Sequence, residues 1–400
     1  MARTDYIGLR VARWRDIAGL TQEQLAERVG YSNAYISMIE NGQRIVTKRS
    51  LLIALATALG VSVNDLTGQP ERPRSRDDLA VYSAVPLLRG ALDDDPDSAD
   101  PVNVDQLTAD VDRAMRARMM CDYPTLARIL PGVLAESRRL SDGGDPTGLA
   151  LFVRAAVCGA LAIKPFGYVD LAARLSERAE HAARMLERPA ELAAARFAAA
   201  QTALASGTVG GQHRSLRTAS AAAVEVGDSG GDDTTAWYGM LHLHAALSAA
   251  SIGRVGDVAT HLGEARAAAG RVASDPWRME FTPANVGVWQ VGVAVENGEP
   301  ERAPEHARHV DRSQLRTANR LVRLHIDAGR GHYAAGDHDR AVRQFLAADE
   351  VSAPELRSRT TVREIVAQLV RDARRGGSDE LRDLAVRVGV DPLDPDHALT

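Results

Sequence analysis

Ser32, Asn33, Ala34, Tyr35, Ser37 and Met38 surround two isoleucines, Ile36 and Ile39, whose spacing turns those two to one side of a helix. The surrounding side chains are left facing out, an array of hydroxyl, amide, phenol and small apolar groups. Such groups break no bonds. Their chemistry is hydrogen bonding and methyl contact, which is what a helix laid in the major groove of DNA uses.

The elements that must position this array are legible around it. Thr21 is placed to cap a preceding helix that begins at Gln22, and Leu25, Ala26 and Val29 supply that helix with a buried stripe. Gly30 permits the backbone reversal between the two helices. Ser32 or Asn33 caps the second, and Gly42 ends it. Upstream, Ile7, Val11, Trp14 and Ile17 form the inner stripe of a first helix. A fourth helix is expected over 48–59, with Leu51, Leu52, Leu55 and Leu59 inward and Gly60 as its stop, and a short fifth over 63–66 follows Ser62. Residues 6–67 thus read as one small five-helix domain.

Charge separates this head from the rest. Residues 1–76 carry 11 Lys/Arg against 7 Asp/Glu, while the remaining chain is acidic, and the whole 400-residue chain has a net charge of −5. A basic head can meet phosphate; an acidic body would be repelled by it. Arginine supplies nearly all the positive charge, the lysines being Lys48 and Lys164. Aromatic residues are only 4% and alanine is abundant, a composition suited to many closely packed helices.

Other function classes fare poorly. The chain holds no phosphate-cradling Gly-x-x-x-x-Gly-Lys-Ser/Thr and no His-Glu-x-x-His, so no enzyme and no cofactor are expected. His306 with His309, and His242 with His244, offer two ligands each, too few for a metal site. Cys121 and Cys158 are too isolated for a disulfide framework. No opening segment resembles a signal peptide, and no run of 18 apolar residues is evident, so a soluble, cytoplasmic protein with no membrane partner is expected.

Residues 69–78 read as a polar linker broken by proline, 79–92 as a helix bent or begun at Pro86, and 93–105 as an acidic loop. The segment 68–103 is therefore expected to connect the head to a repeated region over 104–375. There, a small residue closing one helix is followed by core positions nine and twelve places on. Cys121 leads to Leu130 and Val133, Gly167 to Ser176 and Ala179, and Gly207 to Leu216 and Ala219. Gly253 leads to Leu262 and Ala265, Gly298 to Ala307 and Val310, and Gly336 to Phe345 and Ala348. Intervals of 46, 40, 46, 45 and 38 residues mark about six stacked helix pairs. The sixth is the clearest, with Gly329, Gly336, Asp337, Ala341, Phe345, Ala348 and Pro354 at tetratricopeptide positions, although His332 holds the usual aromatic place and Tyr333 follows it. The other units leave HEAT-like or irregular helix pairs open. A last helix over 379–388 would cap the array within a tail at 376–400.

Residues 7–67 resemble the Xre/Cro-type helix-turn-helix family. The resemblance rests on Gly19-Leu20-Thr21-Gln22-Glu23-Gln24-Leu25-Ala26, on Ile36-Ser37-Met38-Ile39-Glu40-Asn41-Gly42 and on Leu59-Gly60-Val61-Ser62. With its repeats the chain resembles actinobacterial regulators that join such a head to a tetratricopeptide-like body, and its architecture is similar to that of peptide-pheromone receptors. The fold so implied is all-α, a five-helix lambda-repressor-like domain followed by an α-solenoid. The resemblance implies that Gln22 holds a phosphate at its helix N-terminus. It further implies that Asn33, Ala34 and Met38 meet base edges with Ser32 and Ser37 alongside, and that Asn41, Arg44 and Lys48 touch the backbone. Asn33 would pair with adenine N6/N7 and Ala34 with a thymine methyl. Tyr35 has two readings, contact with phosphate or sugar and cover for the domain surface. Arg15 and Glu40 match an ion pair inside the domain.

The repeat register places Arg316, Asn319, Arg323 and Arg330 on one stripe of the sixth unit. In neighbouring units it places Asn285, Gln201, Phe197 and Arg154 on the corresponding face, with Trp237 and Trp289 near its edge. Arginines with an asparagine suit a peptide backbone or a carboxylate, and ion pairing with the acidic surface is the competing reading. The expectation is a homodimeric regulator of a palindromic operator in double-stranded DNA, its body binding a peptide or small-molecule effector. The alternative is an antitoxin-like or scaffold protein whose repeats hold a protein partner.

Overall fold

The computed structural model describes residues 6–70, 73–93, 101–227, 230–275, 277–373 and 377–392. Most of the acidic stretch 93–105 and the tail beyond 392 lie outside the described residues.

The head is built from α1 (Ile7–Ile17), α2 (Gln22–Val29), α3 (Asn33–Glu40), α4 (Arg49–Leu59) and α5 (Val63–Thr67). Thr21 caps α2 in a reciprocal box: its hydroxyl accepts from the Gln24 backbone N–H at 3.1 Å, and the Gln24 side chain accepts from the Thr21 N–H at 2.9 Å. Gly30 takes φ +73°, the left-handed conformation the turn requires. Ser32, not Asn33, caps α3 by accepting from the Tyr35 N–H at 3.2 Å, which leaves the Asn33 amide outside the cap. Leu25, Ile36, Ile39 and Leu55 are fully or almost fully buried together. Ile17, expected inside, is 67% exposed. It ends α1 one turn beyond the point where the head's core stops, so its periodicity carries it past its neighbours.

α6 (Arg76–Asp93) runs through Pro86 without stopping and packs along α8 (Tyr123–Asp142). Val81, Val85, Leu88 and Leu92 are buried in the body's core, so this segment is the body's first layer and not a free linker. The apolar spacing that marked a helix also gave it a face to bury.

Six helix pairs follow. α7 (Val104–Met119) turns at Cys121 into α8. α9 (Pro146–Ile163) turns at Gly167 into α10 (Val169–Leu186), and α11 (Pro189–Ala205) at Gly207 into α12 (Val209–Val226). α13 (Asp232–Ser251) turns at Gly253 into α14 (Val255–Ala269), α15 (Pro283–Glu296) at Gly298 into α16 (Ala303–Arg308), and α17 (Ala318–Ala334) at Gly336 into α18 (His338–Arg357). All six turn residues have positive φ, from +55° at Cys121 to +91° at Gly167. The residues nine and twelve places after each are buried, as the register expects. In the sixth pair a Cβ on Gly329 would lie 2.6 Å from the Phe345 ring, so the glycine sets how closely α17 and α18 approach. α19 (Thr360–Ala373) and α20 (Asp379–Val388) close the end.

Among its described residues the body is built of helices joined by short loops, and its superhelix closes on itself. α7 of the first pair touches α17 of the sixth, and the Tyr123 hydroxyl donates to the Glu355 carboxylate 232 positions away. Alanine-rich helices approach closely enough to fill what would otherwise be an open groove. Within this core lies α9. The stretch Pro146–Phe166, interrupted by Arg154, is by mean hydropathy and length able to pass for a membrane span, but 72% of its most apolar 18-residue window is buried inside the protein.

Candidate nucleic-acid interface and body cavity

On the head, Ser32, Asn33 and Ala34 are exposed at the start of α3, with Ser37 and Met38 half-buried one turn on. The helix is held from behind by a polar cluster. Arg15 clamps Glu40 with Nε–Oε1 at 2.6 Å and Nη2–Oε2 at 3.0 Å, and Gln22 Nε2 donates to the same Oε2 at 2.8 Å. Glu40 is buried, and its hydrogen bond holds the Arg15 guanidinium pKa above the usual arginine value. The expected Arg15–Glu40 pair is therefore present, and the Gln22 side chain is engaged with it. A phosphate there would meet the end of α2 and its backbone N–H groups.

Asn41 Nδ2 donates to Ser37 Oγ at 3.3 Å, which joins the end of α3 to its outer face. Tyr35 stacks on Tyr31 with ring centroids 4.9 Å apart, and desolvation raises its phenol pKa. Of the two readings of Tyr35, this geometry matches surface cover. Arg44 and Lys48 are exposed, and with Tyr35 they line a cleft of about 450 Å³ shared with Tyr333, Gln368 and Asp372 of the body.

The head is fastened to the body at several points. The Ile7 N–H donates to Glu364 Oε1 at 3.1 Å, Asn64 Nδ2 to the Gly167 carbonyl at 3.2 Å, and Arg49 Nη1 to the Leu204 carbonyl at 3.3 Å. Arg330 reaches the Thr47 carbonyl at 3.2 Å while paired with Glu296 at 3.0 Å and Asp327 at 3.2 Å. Its place on the predicted effector stripe is thus occupied by an interdomain tie.

The body holds a partly open cavity of about 110 Å³. Phe197, Gln201, Asn319 and Arg323 line it, as does Trp289. The other predicted effector residues stand elsewhere. Trp237 is buried against Phe197 and Trp277, and Arg154 lies over the Trp277 ring at 4.6 Å. Asn285 is fully buried with neither amide atom hydrogen-bonded. Arg316 is exposed before α17, its N–H donating to Glu280 at 2.5 Å. Closure of the superhelix leaves five of the ten residues of the predicted face on the cavity wall and buries Trp237 and Asn285 away from it.

Sequence reasoning missed Arg118, Lys164, Arg320, Asp327, Glu355 and Arg359 in the cavity wall. Lys164 carried a signal, being a lysine at the end of an apolar helix in a chain that otherwise uses arginine. Arg323 Nε pairs with Asp327 Oδ2 at 2.6 Å, and Gly292 makes room for that carboxylate, since a Cβ there would lie 2.7 Å from it. Among the described residues no cluster of three or more His, Cys, Asp or Glu could hold a metal ion. His244 bonds to Ser215 at 2.9 Å, and His242 to His261 at 2.9 Å.

Residues 7–67 match a family described as a helix-turn-helix domain. Over 67 residues the chain is 40% identical to a propionyl-CoA carboxylase regulator of Cereibacter sphaeroides, a match spanning 17% of this chain and only 14% of that protein. Over 68 residues it is 44% identical to y4dJ of Sinorhizobium fredii, an uncharacterized helix-turn-helix-type transcriptional regulator, spanning 17% of this chain and 87% of that protein. Two solved structures have similar extents. PlcR of Bacillus thuringiensis, in complex with the peptide PapR7 and DNA, aligns over 96% of this chain and 93% of its own, at 10% identity and a TM-score of 0.32. ComR from Streptococcus suis aligns over 93% and 96%, at 16% identity and a TM-score of 0.30. Neither likeness bears on individual side chains.

Proposed function

This chain belongs to the helix-turn-helix-type transcriptional regulators, and we propose that it binds its operator as a homodimer under the control of an effector held in the body. DNA binding rests on the head, where a capped and braced α3 presents Asn33 and Ala34 to solvent beside the exposed cations Arg44 and Lys48. One such head covers half a site, so two heads related by a two-fold axis would read half-sites roughly 34–36 Å apart.

The observation that carries effector control is the path from cavity to head. Asp327 and Arg323 stand in the cavity wall, Asp327 also pairs with Arg330, and Arg330 holds the Thr47 carbonyl. A ligand that draws Arg323 or Asp327 toward itself changes the hold on the loop leading into α4. The two states differ in how the head is seated, and a ligand with different affinity for them shifts their populations.

The test is selection of duplexes from a random pool by the full-length protein, followed by footprinting and sedimentation of the complex. The expected result is a two-fold-symmetric site bound by two chains. An asymmetric single site bound by one chain would overturn the homodimer. Affinity for the selected site that no cellular extract alters would count against effector control.

A further inference from the structure

Three cations in the cavity wall have no carboxylate partner. Arg118 and Arg320 are each more than nine-tenths buried, yet Arg118 meets the Met279 sulfur at 3.2 Å and the Cys158 thiol, and Arg320 Nη2 the Met279 carbonyl at 3.0 Å. The Nε of each has no acceptor. Lys164 donates to the neutral Gln201 amide oxygen. Arg323 and Arg359 also line the cavity, and its two carboxylates are already engaged: Asp327 with Arg323 and Arg330, Glu355 with Arg359 and the Tyr123 hydroxyl. Buried charges are ordinarily paired, because removing an ion from water costs several kcal/mol that only a counter-charge offsets.

Resting on the reading of the body as an effector-binding unit, we propose that this cavity takes a small organic anion, its carboxylate or phosphate group held by Arg118, Lys164 and Arg320. Apart from Gln201 and Asn319 the uncharged wall is apolar, with Phe197, Leu247, Val288 and Trp289 placed to cover a hydrocarbon or aromatic portion. The cavity of about 110 Å³ is open on one side and smaller than the apolar cavity of about 150 Å³ that accommodates benzene, so it takes the anionic group and part of a ring and leaves the rest at its mouth. It is too small for a multi-residue peptide. Burial depresses the Lys164 ammonium pKa well below its ordinary value and brings Arg320 down to about 10, as expected where cations await a counter-ion.

The full-length protein is titrated calorimetrically with benzoate, phenyl phosphate and the neutral benzamide at matched ionic strength, and its thermal midpoint is followed with each. Saturable binding of benzoate or phenyl phosphate with a raised midpoint, and none with benzamide, is the expected result. Which anion binds tighter separates the carboxylate and phosphate sources. Lys164→Met and Arg320→Met are expected to weaken that binding by about tenfold to hundredfold, with a ligand-free midpoint as high as in the parent or higher. The site is overturned if neither anion binds, if benzamide binds as well as the anions, or if both variants bind unchanged. Anion binding that leaves operator affinity untouched retires effector control and keeps the site. Operator binding without anion binding retires the site alone.

Discussion

Arg330 on α17 donates to the backbone carbonyl of Thr47, 283 positions away, at 3.2 Å. The same guanidinium is buried between Glu296 and Asp327, so one side chain belongs at once to the body's core and to the seat of the head.

Replacing Arg330 with Met would strand the buried Glu296 carboxylate and leave Asp327 to Arg323 alone, a loss of about 3–5 kcal/mol by analogy with broken buried pairs. Amide hydrogen exchange over residues 45–48 should accelerate with it. Adding Glu296→Gln should recover part of the stability without restoring protection of that loop. Unchanged exchange there would mean that Arg330 does not hold the head.

Asn33→Ala should lower affinity for the selected operator by about 1–3 kcal/mol while leaving non-specific binding unchanged. Arg44→Ala should weaken binding to all sequences and reduce the salt slope by about one. Equal loss of specific and non-specific binding by the Asn33 variant would remove it from base reading.

In the head, Thr21→Ala removes one half of the capping box and should cost about 1 kcal/mol. Arg15→Met leaves Glu40 buried with only Gln22 as donor and should cost more, about 3 kcal/mol. Urea denaturation followed by far-ultraviolet dichroism ranks the two. A Thr21 variant less stable than the Arg15 variant would contradict the weight placed on the buried pair.

Acid should loosen the body before it affects most carboxylates. Burial keeps two imidazoles neutral in the folded state: it brings His244 down to about 3, with Lys164 adding to the effect, and His242 down to about 4, with His261 adding. In the unfolded chain both sit near 6.5 and bind protons first. Their contribution is therefore complete above about pH 6.5 and declines as pH falls toward 4, by up to about 1.4 kcal/mol per pH unit for fully buried His244. Denaturation midpoints at pH 7 and pH 5 measure this, and His244→Gln should flatten the difference. A wild-type midpoint that does not move between those values would refute the assignment.

What the sequence determined by itself was local. Thr21, Gly30 and Ser32 act within a few residues of themselves, and a cap or a left-handed glycine requires nothing distant, so the head's turns and the outward face of α3 could be read directly. The same holds for the six repeat turns, where positive φ fell on the residues the spacing singled out. Ile17 shows the limit: periodicity names the face of a helix but not whether a neighbour reaches it. Tertiary structure decided everything that depends on distant partners. It closed the superhelix, so that Trp237 and Asn285 became core instead of groove, and it made α6 part of the body. It also brought Arg118, Lys164 and Arg320 to one cavity and Arg330 to Thr47. Those meetings join residues tens to hundreds of positions apart. Their energies come from burial and charge pairing, which are properties of the assembled fold and not of any window of the chain.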